Sequence, residues 1–539
     1  MKQFLFVILS LLFTCSYAQN LQVNFGELIP TDRTAFILDA GIAGGKLFVV
    51  EQQKKFILLK FYNPTTMKFI TSKVVQQNNC KGIKDCISDD FGYVKTLFMK
   101  DNVIMLFETY EKSSKQSILF AQKITNEGNF DGKLVIIDKI AAESRRNSGS
   151  FLTWFSEDST KFLIIQNPPY DKYQGEKFLF KVYNSKLENL SNFSAALPYK
   201  DKNVSVSDYY LANDGTVYML VRVSKEKGEK EKGQDLSFYS IFAFKGDGSS
   251  SEFLVKIPDK DIETIALRLD NKNNKVICSG LYSDISKGFT GKKIDGIFYL
   301  RVNIEKKELE ATGFKQIDNS VLAAILDVKE EKIDKKGKVA GASKNFEIRD
   351  IISKSDGTTT LITEYRDLII TTHTTTNSNG MTTTTTTYHY YRKNIFIINI
   401  AQDGTILSFI DIPKYQYSVN DGGKFLSFLL FQKDDRIIFI YNDNVENMSS
   451  SVKSIKDVKR MVNLSKANVV AVEINKDGTY TKKEIYNLAT KKIAMIPERG
   501  IRIGNGNYIV PIQQAPGKIT CSCAVMFSKL KSGIAKIVL

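Results

Sequence analysis

Histidine and tryptophan are nearly missing, with two and one in 539 residues. His373 and His389 are too few for a His-rich metal centre, and catalysis by a histidine set beside a nucleophile has almost no material to draw on. No glycine-rich phosphate loop follows a strand, and neither a GxSxG elbow nor an HExxH helix occurs. No cofactor is therefore expected. Long apolar stretches are also lacking beyond the first fifteen residues, so no transmembrane segment is expected in the mature chain. The one early run, Phe4 to Phe13, follows Lys2 and precedes Ser16-Tyr17-Ala18-Gln19, which together have the form of a secretory signal peptide over residues 1–18. Cys15 is the residue a lipoprotein would acylate, but Thr14 stands where such sites need a small residue. The expected location is the periplasm, the outer surface or the extracellular space.

Cysteine is scarce, six in all, and removal of Cys15 with the leader leaves Cys80, Cys86, Cys278, Cys521 and Cys523. An odd number in a long chain argues against a disulfide scaffold. Cys80 and Cys86 flank a polar loop that can fold back, so a local bridge is expected between them in an oxidising compartment. Cys521-Ser522-Cys523 has no second thiol pair or nearby histidine to complete a zinc site, and no metal is expected.

What is present is a globular balance, 43% hydrophobic and 25% charged, in 60.9 kDa. That mass exceeds what one core usually serves, leaving several domains or one architecture built by repetition. Repetition is visible. Short apolar runs begin at Lys46, Val103, Phe162, Val217, Lys275, Thr360, Arg436 and Asn507. Asp-Gly punctuation recurs at Asp131, Asp214, Asp247, Asp356, Asp403 and Asp477, where glycine supplies the positive φ of a tight hairpin. Many of the runs are apolar on both faces, which suits sheets stacked between neighbours and not the alternating strands of an outer-membrane barrel. The expected fold is all-β: a single β-propeller of seven or eight four-stranded blades over residues 19–539. Gln19 to Phe25 is placed to complete the last blade.

Four segments depart from the repeat. Residues of about 317–345 read as a short helix with Ser320 as its N-cap, then a charged loop. Lys225 to Lys232 is a mixed-charge surface run. Residues 368–392 hold two threonine tracts around Asn377-Ser378-Asn379-Gly380 and end in Tyr388-His389-Tyr390-Tyr391, the composition of a long hairpin. A turn centred on Ser378 and Asn379 would set His373 opposite Thr384, away from His389. Asp270 to Asn274 and Tyr441 to Asn444 look superficially like calcium loops but lack the ligand spacing of one, and read as turns.

Charge is unevenly spread. Of a formal net charge of +16, residues 452–539 carry 16 Lys and Arg against 5 Asp and Glu. Lys482, Lys483, Lys491, Lys492, Arg499 and Arg502 are the candidate residues for an anionic partner, an envelope polysaccharide or protein. Nucleic acid is not expected, because stacking aromatics are not interleaved with these cations.

The Ser16-Tyr17-Ala18-Gln19 region, the Asp-Gly-Thr hairpins, and Ser418-Val419-Asn420-Asp421-Gly422-Gly423-Lys424-Phe425 followed by Phe439-Ile440-Tyr441-Asn442-Asp443 resemble a group of uncharacterised secreted β-propeller-like proteins of Bacteroidota-type bacteria. The resemblance implies fold and export and brings no catalytic residues with it. The function expected from the sequence is an exported, non-catalytic binding or scaffold protein of the cell envelope. The alternative is a carbohydrate-active enzyme using carboxylates in the central channel, where two acids would face each other. The leader reading predicts an exported chain beginning at Gln19. N-terminal sequencing that finds Met1 retained, or a lipid on Cys15, would contradict it.

Overall fold

The computed structural model describes residues 21–539 except 33, 55, 78–79, 81–84, 100–101, 227–236, 271–274, 285–293, 327–344, 434, 450–451, 453, 476, 504–505 and 515–529. The leader, most of the Lys225–Lys232 run, the Cys521–Cys523 pair and the charged part of the 317–345 insertion lie outside the described residues.

Antiparallel strands follow one another in sequence order to form eight sheets. Blades 1 to 7 occupy residues 36–77, 92–141, 150–200, 204–255, 260–316, 346–419 and 429–487. Blade 8 is built from residues 493–538 and closed by the N-terminal strand Gln22–Phe25, which pairs with Leu530–Val538. The blade number is thus eight, and each apolar run noted above is the second strand of a blade.

Strand periodicity explains the ring. Successive side chains of a strand point to opposite faces, so a strand apolar at every position needs a neighbour on each side. In Lys46–Gln53, Leu47 and Val49 pack on Ile509 and Ile534 of blade 8, whereas Phe48 and Val50 pack on Val103 and Met105 of blade 2. The same division repeats around the molecule, giving eight cores that join each blade to the next and blade 8 to blade 1.

The Asp-Gly turns are three-residue hairpin loops. At Asp356-Gly357-Thr358 the chain closes with Lys354 N donating to Thr358 O at 2.8 Å, Gly357 has φ 83°, and the Asp356 carboxylate accepts from Thr358 N and Oγ1. Those bonds hold the carboxyl below its ordinary range. Asp131-Gly132 differs from expectation: it lies inside the strand Phe130–Ala141 at a register irregularity, and Gly128 makes the turn instead. Tyr441 to Asn444 is likewise no turn but the end of strand Arg436–Asn444, with Asn442 and Asp443 fully buried. The helix of the 317–345 insertion spans Asn319–Leu326, so Ser320 sits in its first turn and is not the cap; Leu322 and Ile325 enter the core between blades 5 and 6.

The threonine hairpin extends the two middle strands of blade 6, Thr359–Thr376 and Thr382–Ile400. Its turn is wider than a two-residue one because Asn377 Oδ1 accepts from both Asn379 N and Met381 N, with Gly380 at φ 75°. The register therefore moves by one residue, and His373 faces Thr385 instead of Thr384.

Ring closure rests on a tight approach at blade 8, where a methyl group at Gly533 would lie 2.4 Å from the Glu27 carbonyl oxygen. Gly533→Ala is expected to force the N-terminal segment off blade 8 and to cost about 1–3 kcal/mol. Chemical denaturation showing an unchanged midpoint would contradict this role.

Candidate functional site

Irregularities of the inner strands shape the centre of the ring. In blades 1, 2, 4, 5 and 6 the inner strand carries one extra residue against its neighbour: Leu38, Val94, Ser207, Glu263 and Arg349. Such bulges re-aim side chains. Blade 8 departs further: its inner strand is split into Ile493–Met495 and Ile501–Arg502, both paired with Tyr508–Gln514, and the 3-10 turn Pro497–Arg499 intervenes.

A cavity of about 770 Å³ is lined by blades 1, 6 and 8 and the connection from blade 6 to blade 7. Phe36 and Ile37 come from blade 1, Glu498 and Arg499 from the blade 8 turn, and Arg349, Arg366 and Arg392 from the first three strands of blade 6; Lys424 follows from the connection to blade 7. Arg366 and Arg392 are directly opposed across neighbouring strands. Like charges in that relation repel.

Four of the charges neutralise one another. Glu498 lies 2.8 Å from Arg366 and 3.4 Å from Arg349, and Glu347 lies 2.9 and 2.8 Å from the same two guanidinium groups. Behind them Lys414 and Glu364, both wholly buried, pair at 2.6 Å, with Ser427 Oγ donating to Glu364 at 2.7 Å. Burial opposes ionisation of Arg349, yet Glu364, Glu498 and Glu347 together raise its pKa.

Arg392 is different. It is 8% exposed, its Nη1 donates to Tyr391 O at 2.8 Å, its Nε has no partner, and among the described residues no carboxylate pairs with it. Burial and the adjacent Arg366 push its pKa down, against the opposing pull of Glu364, Glu498 and Glu347. Lys424 donates to Gln513 and forms no ion pair among the described residues; burial lowers its pKa, with Asp421 opposing. Arg499 is exposed at the cavity, again without an ion pair among the described residues. Arg392, Lys424 and Arg499 are therefore three cations against Asp421, whose carboxylate already accepts from Ser418 and Gly423. Glu51, on the opposite wall, is held by Lys60 at 2.7 Å. Such a surplus in a half-enclosed site suits a multiply charged anion.

The candidate residues from the sequence fall in several places. Arg499 lines this cavity, and Arg502 is on the short strand that follows the turn. Lys482 is bonded to the buried Asp443 at 2.5 Å and to Asn447 O at 3.1 Å. Lys483 is exposed on the outermost strand of blade 7, Lys491 lies over the Phe25 ring at 4.6 Å, and Lys492 caps the turn Leu488–Lys491 at φ 57°. Arg349, Arg366, Arg392 and Lys424 carry no local sequence signal; only correct strand register brings the first three together. Cys80 and Cys86 are joined, with S–S 2.00 Å and Cα–Cα 5.5 Å, and no group of three His, Cys, Asp or Glu among the described residues is placed to hold a metal. Nor is any described helix long and apolar enough to cross a membrane.

No family model and no curated relative matches the chain. Solved structures do. The β-propeller domain of the Trilobed protease from Pyrococcus furiosus is 13% identical, with 84% of this chain and 99% of that one covered, at a TM-score of 0.33. A prolyl endopeptidase (9% identity, 89% and 54% covered, TM-score 0.38) and the Pyrococcus horikoshii acylaminoacyl peptidase (11%, 90% and 59%, TM-score 0.32) are also similar. The chain thus spans little more than half the length of these two peptidases. At such identities the likeness is one of fold. The proteins named in these structures are peptidases, and the expectation of a non-catalytic envelope scaffold is withdrawn with that finding. The cavity's two glutamates, Glu498 and Glu51, are held in ion pairs by Arg349, Arg366 and Lys60.

Lys482 acts here as a structural counter-ion. Lys482→Met would leave Asp443 buried beside only amide donors and is expected to cost about 3 kcal/mol, whereas Lys483→Gln should change stability by less than about 0.5 kcal/mol. Equal denaturation midpoints for the two variants would show that Lys482 is merely a surface lysine.

Proposed function

We propose that the cavity between blades 1, 6 and 8 recognises a small molecule bearing two or more negative charges of the carboxylate or phosphate class. The observation that carries this reading is the opposed Arg366–Arg392 pair, in which Arg366 has carboxylate partners and Arg392 has none among the described residues. Arginine cannot shed its proton to relieve such repulsion, and a buried charge without a counter-ion is costly. An anion bridging Arg392 and Lys424 removes both penalties, and planar guanidinium donors fit a carboxylate or phosphate edge. The cavity volume of about 770 Å³ is within the range of small-molecule sites. Arg499, at the end of the Pro497–Arg499 turn, faces the same ligand from blade 8.

The reading includes export of the chain, which the Cys80–Cys86 bridge supports because such bonds persist in oxidising compartments.

Calorimetric titration of the whole chain with citrate and with inorganic phosphate, in a buffer free of other multivalent anions, tests the site. Binding by at least one anion, weakened by salt and reduced at least tenfold by Arg392→Gln, is the expected result. That factor corresponds to the loss of one charge-assisted hydrogen bond, about 1.5–3 kcal/mol. Absence of binding to both anions, or equal affinity in Arg392→Gln and in a Lys483→Gln control, would overturn the proposal.

A further inference from the structure

We propose that the threonine ribbon of blade 6 joins two copies of this chain, edge to edge, along the free side of strand Thr359–Thr376. In blade 6 the inner strand Phe346–Ser353 pairs with that strand only as far as Tyr365. From residue 366 to 376 no described strand lies on that side, so among the described residues eleven residues of edge are open. The other side of the ribbon is free only over 382–387, because Asn420 bonds both backbone groups of Tyr388 and strand Ile406–Val419 covers the rest from His389 onward.

Exposed edges are normally guarded by charge, proline or a bulge. This one is not. From Leu368 to Tyr391 the sequence has no Lys, Arg, Asp, Glu or Pro, in a chain that is 25% charged. Three consecutive apolar residues on the open strand, Leu368, Ile369 and Ile370, are 48, 45 and 55% exposed. The ribbon itself is held in register by Thr374–Thr384 and Thr376–Thr382 hydroxyl bonds at 3.2 and 3.1 Å, and by Thr371 Oγ1 to His389 Nε2 at 3.0 Å.

Charge selects a second copy as the occupant. Surfaces of a chain at +16 repel one another, and the ribbon is a long stretch where no such repulsion arises. Its edge is also self-complementary. Antiparallel pairing about Thr371 uses all eleven residues, sets Arg366 and Asp367 of each copy opposite Thr376 and Thr375 of the other, and covers Leu368, Ile369 and Ile370 with the facing Thr374, His373 and Thr372. No like charges meet. An edge of this length supplies about ten backbone hydrogen bonds, the number carried by a typical stable interface. The arrangement is isologous, with a two-fold axis through Thr371.

Sedimentation of the full chain should show a dimer whose apparent dissociation constant rises at least tenfold in Thr372→Lys/Thr374→Lys. Thr371→Cys, which meets itself at the axis, should give a covalent dimer on mild oxidation, above the level of the unsubstituted chain. Met381→Cys, at opposite ends of the paired ribbons, should not. A chain that stays monomeric across the micromolar range overturns the proposal, as does a lysine variant that dimerises unchanged. Cross-linking at Met381→Cys equal to that at Thr371→Cys also overturns it.

Discussion

Burial of both faces of every sheet is the constraint on which this molecule depends. A four-stranded blade with apolar residues at successive positions cannot expose either side to water, and each blade meets that demand only through its two neighbours. The demand has no natural end in a row of sheets. It is met by closing the row, so that Ile509 and Ile534 of blade 8 lie against Leu47 and Val49 of blade 1, with the first strand of the chain pairing with the last. Ring closure is also negative protection, because it leaves no inner sheet exposed as a template for aggregation.

The inner strands also enter the cores, through residues such as Leu97, Leu211, Leu267 and Ile351. Even so, bulges recur in five blades and a whole turn interrupts the inner strand of blade 8. These irregularities bring side chains of distant sequence position into one cavity: Arg349 from a bulge, Glu498 and Arg499 from the interrupting turn. The neutral quartet of Arg349, Arg366, Glu347 and Glu498 ties blade 6 to blade 8 across blade 7, and Arg392 remains beside it as a buried cation that makes no ion pair among the described residues. Because the surrounding strands are fixed by packing on both sides, the repulsion between Arg366 and Arg392 cannot be relieved by moving the backbone.

Much of the architecture was legible in the sequence, because it follows from period and punctuation. The eight apolar runs are the second strands of eight blades, strands buried on both faces, and five of the six Asp-Gly pairs close hairpins. Asp131-Gly132 did not, since a positive-φ glycine serves a bulge as well as a turn. The site was largely illegible. Its arginines stand at residues 349, 366 and 392, and bringing two of them together requires the exact register of the threonine hairpin. A turn read one residue too short puts opposing side chains on the wrong partners throughout, and the Asn377 side chain, which widens that turn, leaves no pattern in a tract of threonines. Clustering of charge in residues 452–539 pointed to Arg499 but also to Lys482, and only packing distinguishes a cation at the cavity from one consumed by a buried aspartate.

The central claim is that Arg392 and Lys424 await a multiply charged anion. The most direct measurement is a crystal structure of the whole chain grown with selenate, a dianion whose position anomalous scattering reveals without assumption. The account predicts a selenium peak in the cavity, within hydrogen-bonding distance of the Arg392 guanidinium and the Lys424 ammonium. A cavity filled only with water at saturating selenate, with Arg392 turned away to a protein carboxylate, would contradict it.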